Sequence, residues 1–495
     1  MRRFSGLPWL CLLLAACGGD GTPDGALLDA AAPADLALEP VDAPPADTAA
    51  PPDVAAIDVA HRDSMADTMA DAAPSSSDAM ACTIYEQDLL GLDLGPASCE
   101  DGVQDQDETD ADCGGLTCRV CLHGQHCQLA GDCATRLCAC DVCVLPGGFA
   151  PPVSFTAGTE PFAVEAFDFD GDGRLDLAVA NEQSNDLTIL LGDGHGGFKP
   201  AGTWPTDSNG NNMGKQPYAL VRADFNGDGK ADLASANFAS DTISVWLGKG
   251  DGTLAPARFV AVVKGPSGLA VGDLDHDGKL DLVATSYAKG NLVTLLGAGD
   301  GTFTQKAAAP TDAAPYSVAL GDFDGDGKLD AATGNSAGNS VDVLRGNGDG
   351  TFAPATSYDA GAFTRHVLAA DLDGDGHLDL AATNFGGETL ALYHGNGDGS
   401  FAAAHFVTIG AAYDFLAVAD LDGDGRLDVI AGGRTSDNVA VLLGQPGGKL
   451  GAPTWFEAGR QPTGIAPGDF DGDGKIDLAV SNYLPSAVQI LRNTR

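Results

Sequence analysis

The fold of this chain is decided by nine residues, Asp168-Phe169-Asp170-Gly171-Asp172-Gly173-Arg174-Leu175-Asp176. Their pattern is Asp-x-Asp-x-Asp-Gly-x-x-Asp, and it recurs along the C-terminal two thirds of the sequence with one Asn at its third position. The copies begin at Asp168, Asp224, Asp273, Asp322, Asp371, Asp420 and Asp469, so the period is 56 residues once and then 49 residues five times. Repeats of this length build propellers or solenoids.

The residues around each copy predict four short antiparallel strands. An alternating segment such as Tyr316–Gly321 precedes the signature, and an apolar segment such as Leu175–Ala180 follows it. A third strand, for example Val341–Leu344, leads into a glycine-rich hairpin and a short fourth strand. Four such strands make one propeller blade, so seven copies predict an all-β, seven-bladed β-propeller over residues 147–495.

The two ends of the array predict how the ring closes. The last repeat stops after its third strand, Ala487–Leu491, and the segment Gly148–Phe155 matches the fourth strands of other repeats. If this N-terminal segment completes the seventh blade, no open sheet edge remains. We therefore predict closure by strands from both ends of the array.

The signature itself predicts a calcium loop. Calcium takes six to eight oxygen ligands in a flexible geometry, and the pattern offers side-chain oxygens at positions 1, 3, 5 and 9, a carbonyl at position 7 and a turn-forming Gly at position 6. An EF-hand would require Glu at position 12, where the chain has Val179, Ser235, Ala284, Thr333, Ala382, Ala431 and Val480. Each loop therefore has five predicted ligands, of which the fourth binds through its backbone carbonyl, and the second loop has Asn226 in place of a charged Asp. The predicted ligands are Asp168, Asp170, Asp172, Arg174, Asp176, Asp224, Asn226, Asp228, Lys230, Asp232, Asp273, Asp275, Asp277, Lys279, Asp281, Asp322, Asp324, Asp326, Lys328, Asp330, Asp371, Asp373, Asp375, His377, Asp379, Asp420, Asp422, Asp424, Arg426, Asp428, Asp469, Asp471, Asp473, Lys475 and Asp477.

This array resembles the FG-GAP or VCBS repeats of integrin α-subunit propellers and related bacterial surface proteins. The resemblance covers residues 147–495 and is most specific in the calcium loops. It implies a propeller that binds about seven calcium ions and acts in adhesion or ligand binding. Because seven equivalent loops are poor candidates for seven catalytic centres, we expect the ions to stabilise the loops.

The N-terminus predicts export and a lipid anchor. Arg2 and Arg3 precede an apolar run, and Leu14-Ala15-Ala16-Cys17 resembles the lipobox of bacterial lipoprotein signals. The resemblance implies that residues 1–16 are a signal peptide and that Cys17 is lipidated; the alternative is an ordinary secretory signal with a chance cysteine. Gly18 is not the Asp of an inner-membrane retention signal, so we expect an outer-membrane location, with possible surface exposure.

Two further regions separate this signal from the propeller. Residues 17–81 are rich in Ala, Pro and Asp and predict a disordered tether. Residues 82–146 contain ten of the twelve cysteines, which predicts a disulfide-rich module in an exported protein. The stretch Asp101–Gly115 resembles a small cysteine-rich module of secreted bacterial proteins. Zinc is the alternative, because suitable spacing occurs at Cys118, Cys121, His123 and His126 and in the close group Cys138, Cys140 and Cys143.

Composition and motif context argue against several functions. The chain has 70 acidic and 26 basic residues and a net charge of −44, which disfavours nucleic acids and favours cations as partners. Gly334–Gly338 matches the Gly-x-Ser-x-Gly nucleophile pattern and Gly192–Gly197 matches Gly-x-Gly-x-x-Gly, but both align with turns in other repeats and no helix follows. We therefore predict no catalytic residues and no enzymatic activity.

Three functions from different classes remain. We favour a surface-displayed module that binds a glycan or protein ligand; a structural envelope scaffold and a polysaccharide-degrading enzyme are the alternatives.

The ligand face should lie opposite the calcium loops, where two recurrent positions vary while the rest of each repeat stays constant. The first holds Phe162, Tyr218, Ser267, Tyr316, Arg365, Asp414 and Thr463, and the second holds Glu182, Phe238, Tyr287, Ser336, Phe385, Arg434 and Tyr483. The candidate ligand residues are Tyr218, Phe238, Tyr287, Tyr316, Arg365, Phe385, Arg434 and Tyr483, since rings beside polar groups suit sugars or protein hot spots. The alternative is that these rings pack between blades or fill the central channel.

Overall fold

The structure is a computed structural model that describes residues 138–139, 142–143, 148–206, 214–262 and 264–495. The predicted signal peptide (1–16), lipidated Cys17 and tether (17–81) lie outside the described residues, as does most of the cysteine-rich module (82–146). Of that module only β1 (Cys138–Ala139) and β2 (Val142–Cys143) are described, as an antiparallel pair. The described residues contain no helix long and apolar enough to cross a bilayer.

The remaining strands form seven blades, numbered here in chain order. β3 (Val153–Thr156) comes first. Blade 1 contains β4 (Pro161–Phe167), β5 (Asp176–Asn181), β6 (Asp186–Gly192) and β7 (Phe198–Pro205). Blade 2 contains β8 (Pro217–Ala223), β9 (Asp232–Asn237), β10 (Thr242–Trp246) and β11 (Arg258–Ala261). Blade 3 contains β12 (Pro266–Gly272), β13 (Asp281–Ser286), β14 (Asn291–Gly297) and a fourth strand split into β15 (Phe303–Gln305) and β16 (Ala309–Pro310).

The later blades repeat this order. Blade 4 contains β17 (Pro315–Gly321), β18 (Asp330–Asn335), β19 (Ser340–Leu344) and β20 (Thr356–Asp359). Blade 5 contains β21 (Thr364–Ala370), β22 (Asp379–Asn384), β23 (Thr389–Tyr393) and β24 (His405–Thr408). Blade 6 contains β25 (Phe415–Ala419), β26 (Asp428–Gly432) and β27 (Asn438–Leu442), then the small hairpin β28 (Gly444–Gln445) and β29 (Lys449–Leu450), and its fourth strand β30 (Thr454–Glu457). Blade 7 contains β31 (Pro462–Gly468), β32 (Asp477–Asn482) and β33 (Ala487–Leu491).

The predicted closure is confirmed. β3 pairs antiparallel with β33, with Val153 opposite Ile490 and Thr156 opposite Ala487, and so supplies the fourth strand of blade 7. Ala150 N–H also donates to Arg492 C=O at 2.8 Å. The seven-bladed all-β propeller predicted from the repeat period is therefore the fold.

The core lies between blades. The second and third strands of each blade are almost wholly buried, because both of their faces meet a neighbouring blade. One hydrophobic cluster, for example, joins Leu177 and Val179 of blade 1 to Val488 and Ile490 of blade 7. Because neighbouring blades cover each other's faces, the strands are buried without any helix. The short apolar runs of the sequence are therefore sufficient to form the hydrophobic core.

A β-bulge shapes the start of most first strands. In blade 1 the pairing register shifts between Pro161 and Ala163, and five other blades show the same shift near their first residue. A bulge leaves one residue unpaired and redirects it. The residue concerned in blade 1 is Phe162, which is the first of the two variable positions identified from the sequence.

Candidate functional site: metal loops and the opposite face

In every blade the signature forms the loop between the first and second strands. In blade 1 the loop begins at Asp168, directly after β4, and ends at Asp176, the first residue of β5. The two oxygens of Asp168 accept hydrogen bonds from the N–H groups of Gly171 (2.7 Å) and Gly173 (2.8 Å). These glycines have φ angles of 80° and 85°, which a side chain would strain. The turn-forming role predicted for position 6 therefore extends to position 4.

The carboxylates of these loops come close enough to share a metal ion. In several loops, three side chains each offer an oxygen within 4.8 Å of the others. Oxygens that bind one calcium ion at 2.3–2.6 Å lie at most about 5 Å apart, so these residues fit such an ion. The groups are Asp168, Asp170 and Asp176; Asp273, Asp275 and Asp281; Asp322, Asp324 and Asp330; and Asp371, Asp373 and Asp375.

The ninth residue of each loop also ties the loop to the end of the third strand. Asp176 is fully buried, and its two oxygens accept hydrogen bonds from Phe169 N–H and Gly192 N–H, both at 2.8 Å. Desolvation by burial raises the pKa of Asp176 to about 6, although the two backbone hydrogen bonds oppose the shift. Equivalent pairs of backbone hydrogen bonds are made by Asp232, Asp281, Asp330, Asp379, Asp428 and Asp477. Position 9 is thus a structural residue as well as a possible metal ligand, which the spacing alone does not reveal.

The side chain at position 7 compensates the charge at position 5. Lys279 Nζ lies 2.7 Å from Asp277, and this hydrogen bond lowers the pKa of the Asp277 carboxyl. Similar pairs join Arg174 to Asp172, Lys230 to Asp228, Lys328 to Asp326, Arg426 to Asp424 and Lys475 to Asp473. The fifth loop differs, because His377 occupies position 7 and is exposed. The sequence pattern predicts a role only for the backbone carbonyl at this position.

The glycine-rich hairpins lie on the same face as the loops. Gly252 N–H in the hairpin of blade 2 donates to Phe169 C=O in the loop of blade 1 at 3.0 Å, and Gly196 N–H of blade 1 donates to Phe470 C=O of blade 7 at 2.9 Å. Each of these hairpins therefore clasps the loop of the preceding blade. The links and the 2–3 turns share the other face, where Phe385 N–H donates to Phe363 C=O at 3.1 Å.

On that opposite face the two variable positions form a band of contacting rings. The Tyr218 ring stacks on Phe162 with centroids 4.6 Å apart and on Phe238 at 4.8 Å. Phe238 then meets Tyr287 edge-on at 5.9 Å, and Tyr287 meets Tyr316 at 6.3 Å. Phe162 is 1% exposed and belongs to the core, whereas the other four rings are partly exposed. The rings therefore do pack against one another between blades, as the alternative interpretation predicts, but part of their surface stays exposed.

Two arginines continue this band around the ring of blades. The Arg365 guanidinium lies 5.1 Å from the Tyr316 ring centre and 4.3 Å from that of Phe385. Its Nη1 donates to Asp414 Oδ1 at 2.9 Å, and Asp414 is fully buried. Such stacking on ring faces fixes the guanidinium plane and leaves its edge for hydrogen bonds.

The second arginine, Arg434, connects the band back to Phe162 of blade 1. Arg434 lies 5.4 Å from the ring centre of Phe162 and 5.8 Å from that of Tyr483, and its Nε donates to Asp414 Oδ2 at 3.2 Å. One buried carboxylate thus holds both guanidiniums. All eight predicted ligand-face residues belong to this continuous network, which we call the ring band.

The family is now decided by direct comparison. A model of the FG-GAP-like repeat matches residues 168–235, 224–284, 273–333, 331–382, 371–431 and 420–480, which is more than half of the chain. The chain belongs to the FG-GAP-like repeat family. No curated protein sequence is significantly similar to it.

Solved structures agree with the fold of this FG-GAP-like propeller. The structure of BBS1N in complex with ARL6DN, soaked with lead, is similar with a TM-score of 0.51 and 14% identity over 71% of this chain and 98% of that one. A lectin from Agrocybe aegerita that recognises non-reducing terminal N-acetylglucosamine has a TM-score of 0.42 and 20% identity over 63% of this chain and 81% of that one. Identities this low show only a shared fold, and the second similarity is too weak to support an argument.

A cavity lies beneath the ring band of the FG-GAP-like propeller. It measures about 370 Å³ and is lined by first strands of all seven blades, with Phe162, Tyr218 and Tyr316 among its lining residues. Glu165 and His366 also line it. Burial raises the pKa of Glu165 to about 7, opposed by Arg222 at 3.7 Å, and burial lowers the pKa of His366 to about 4.

The structure shows two further aromatic rings on this face that the sequence pattern does not single out. Phe415 of blade 6 contacts Phe162 edge-on at 5.3 Å and adds a ring to the band. Phe363, in the link before β21, is 55% exposed and has a φ angle of 53°. Aligning the residue eight places before each loop would have found it, because that column otherwise holds small or polar residues in the repeats.

The remaining sequence candidates of the FG-GAP-like propeller are structural. Ser267 and Thr463 are buried, and their hydroxyls donate to Pro315 C=O (3.0 Å) and Pro161 C=O (2.8 Å) of the next blade. The two motifs with catalytic patterns form turns: Gly334–Gly338 joins β18 to β19, and Gly192–Gly197 joins β6 to β7. These placements agree with the reading of both motifs as hairpins.

Proposed function

We propose that this chain is a lipid-anchored protein of the bacterial envelope whose calcium-stabilised propeller binds a carbohydrate. The binding surface comprises the ring band and Phe363, whose C=O accepts a hydrogen bond from the N–H of the band residue Phe385. The observation that carries the proposal is the open aromatic surface opposite the metal loops. Of the four exposed large hydrophobic side chains among the described residues, Phe363 (55%) and Leu484 (40%) lie on this face. Val153 and Phe406 lie on outer strands instead.

The backbone at Phe363 supports a functional role for its ring. A non-glycine residue in the left-handed region is uncommon, and a bulky one costs about 1 kcal/mol or more. The equivalent positions that share this conformation hold Glu160, Gln216, Gly265, Ala314 and Gln461, so the frame demands the conformation and not the ring. An exposed phenyl ring at a strained position gains little stability, which favours a role in binding.

The chemistry of the ring band suits a sugar. Partly exposed ring faces at Tyr287 and Phe385 offer flat apolar surface, and Arg365 and Arg434 offer hydrogen-bond donors fixed by Asp414. The cavity of about 370 Å³ beneath the band falls within the usual size of small-molecule sites. A protein ligand is the alternative, since aromatic and arginine side chains also form protein hot spots.

We further propose that calcium occupies the seven loops and serves stability. The donors are hard oxygens, which calcium prefers, and the loops lie on the face away from the ring band. We propose binding rather than catalysis, because the grouped carboxylates repeat around the ring on the face away from the ring band. A scaffold without any ligand would leave the strained exposed ring unexplained.

The anchor and location rest on the N-terminal sequence. Leu14–Cys17 supports lipidation of Cys17, and Gly18 supports transport to the outer membrane. Labelling with radioactive palmitate should mark the wild-type chain and not a Cys17→Ser variant. Equal labelling of both would contradict the anchor, and secretion of unlabelled wild type would favour an ordinary signal peptide.

The ligand proposal is tested with a glycan array in millimolar calcium. We compare the wild type with Phe363→Gly, which places in blade 5 the residue that blade 3 has at the same position, Gly265. The matched control is Phe406→Ser, which removes another exposed ring of blade 5 and copies Ser357 of blade 4.

We expect Phe363→Gly to weaken binding about tenfold, equivalent to about 1.4 kcal/mol, with its free energy of unfolding unchanged within about 1 kcal/mol. Phe406→Ser should bind as the wild type does. A wild type that binds no glycan, or equal loss in both variants, would contradict the carbohydrate proposal; capture of a protein partner that depends on Phe363 would replace it with the protein alternative.

A further inference from the structure

The metal loop of blade 5 differs from the others by a histidine. The third strand of each blade is followed by a residue whose N–H bonds the ninth Asp of the loop, a glycine in blades 1 to 6 and Asn493 in blade 7. The residue just before it is Leu191, Leu247, Leu296, Arg345, His394, Leu443 and Arg492 in blades 1 to 7. His394 Nδ1 lies 3.4 Å from Asp373 Oδ2 and 3.6 Å from Asp379 Oδ1. The three side chains each offer a ligand atom within 4.8 Å of the others.

The distances from His394 Nδ1 to the two carboxylate oxygens are longer than a hydrogen bond. They match the separation between two atoms that bind the same metal ion. Nδ1 of His394 is buried and has no hydrogen-bond partner, and N–H···O bonds span 2.7–3.2 Å. Zinc binds imidazole nitrogen and carboxylate oxygen at 2.0–2.2 Å, so tetrahedral ligand atoms lie about 3.3–3.6 Å apart. The measured separations of 3.4 and 3.6 Å fall in this range.

The surroundings also orient the ligands. Both oxygens of Asp379 accept backbone hydrogen bonds at 2.9 Å, from Leu372 N–H and Gly395 N–H, which fixes the carboxylate plane. Metal sites rely on such outer hydrogen bonds to hold first ligands in place. Imidazole favours zinc and other late transition metals, whereas calcium takes oxygen ligands.

We infer that the blade 5 loop is a transition-metal site, selective for Zn²⁺ over Ca²⁺, with His394 Nδ1, Asp373 and Asp379 as its protein ligands. The loops of the other six blades keep all-oxygen donor sets, so zinc would take the place of the calcium proposed above in blade 5 alone. The inference is independent of the proposed carbohydrate binding, because the site lies on the face of the metal loops.

A simple ion pair is the competing explanation. Arg345 Nη1 lies 3.3 Å from Asp324 and Arg492 Nη1 lies 4.0 Å from Asp471, so cations at this place do pair with position 3. Among the described residues, however, only His394 also approaches the buried Asp at position 9. An imidazolium would pair with Asp373 without binding a metal, and this difference is measurable.

The test uses the full chain in millimolar calcium with Co²⁺ as a spectroscopic substitute for Zn²⁺. The loss variant is His394→Leu, because Leu fills the place in four other blades and packs there against the hairpin glycine of the next blade, as Leu296 does against Gly350. The gain variant is Leu296→His, since blade 3 already brings Asp275 and Asp281 together. Any Co²⁺ bound in the cysteine-rich region is common to every variant and cancels in difference spectra.

We expect the wild type to bind one more Co²⁺ per chain than His394→Leu, with visible d–d absorption that one equivalent of Zn²⁺ removes and an affinity at least tenfold above that of the variant for this site. The calcium-dependent melting temperature of the variant should be unchanged. Leu296→His should gain one equivalent of Co²⁺. Identical titrations of wild type and His394→Leu would overturn the site, and if His394→Leu fails to fold, the absence of a gain in Leu296→His would overturn it instead.

Discussion

Replacing the ninth residue of one loop should destabilise the propeller even without calcium. Asp330 is 1% exposed, and its oxygens accept hydrogen bonds from Phe323 N–H (3.0 Å) and Gly346 N–H (2.8 Å). Asp330→Ala leaves both N–H groups without these partners, in a place where side chains and strands exclude water. The loop then loses its connection to the end of β19.

The size of the effect follows from these two hydrogen bonds. Each buried donor left unpaired costs about 1–3 kcal/mol, so we expect a loss of about 2–6 kcal/mol. At about 2.1 cal/mol/K per residue, unfolding of a propeller this long has an entropy near 0.7 kcal/mol/K. The melting temperature should therefore fall by about 3–8 °C in chelator as well as in calcium.

The control is Asp326→Ala at position 5 of the same loop. Asp326 is exposed and pairs with Lys328 at the surface, where solvent screens the interaction, so its removal should change stability little without metal. In calcium both variants should lose the ion of that loop. Thermal melts of the two variants and the wild type, each with excess chelator and with millimolar calcium, separate the roles. Equal melting temperatures of Asp330→Ala and wild type in chelator would refute the structural role of position 9.

Three further predictions follow from the fold and its charges. Chelation of calcium should lower the free energy of unfolding by about 2–8 kcal/mol, because the six loops outside blade 5, with Kd of about 10⁻⁴–10⁻³ M, each contribute ~0.4–1.4 kcal/mol at about 1 mM calcium; a melting temperature unchanged by chelator would contradict calcium binding. Deletion of residues 1–157 removes β3 and should abolish cooperative unfolding, whereas deletion of residues 1–146 should not, and equal melts of the two would contradict closure by β3. Burial raises the pKa of Glu165 from 4.5 to about 7, so the folded state holds its proton to higher pH than the unfolded state, and stability is lost as pH rises through this range. Relative to Glu165→Gln, urea unfolding of the wild type at saturating calcium should therefore lose about 1–2 kcal/mol between pH 4.5 and pH 8, less than the shift alone implies because the side chain keeps 31% exposure to the channel; a parallel pH dependence of both would contradict the shift.

The sequence by itself determined the architecture, because the architecture repeats. A signature that returns every 49 residues fixes the number of blades, the position of each metal loop and the strand order. The unpaired segments at the two ends of the array also determined the closure of β3 on β33. In both cases the deciding information is local or periodic in the sequence.

The contacts between blades were decided only by the tertiary structure. Phe162 and Tyr218 are 56 residues apart in the sequence. Their spacing does not predict that the Phe162 ring is buried in the core while the Tyr218 ring that stacks on it stays partly exposed. The same holds for Asp414, which lies between two arginines, and for His394, whose approach to Asp373 depends on how the third strand meets the loop. Side-chain burial and pairing arise where different repeats converge, so they depend on the twist and bulges of the closed ring and not on the repeated pattern.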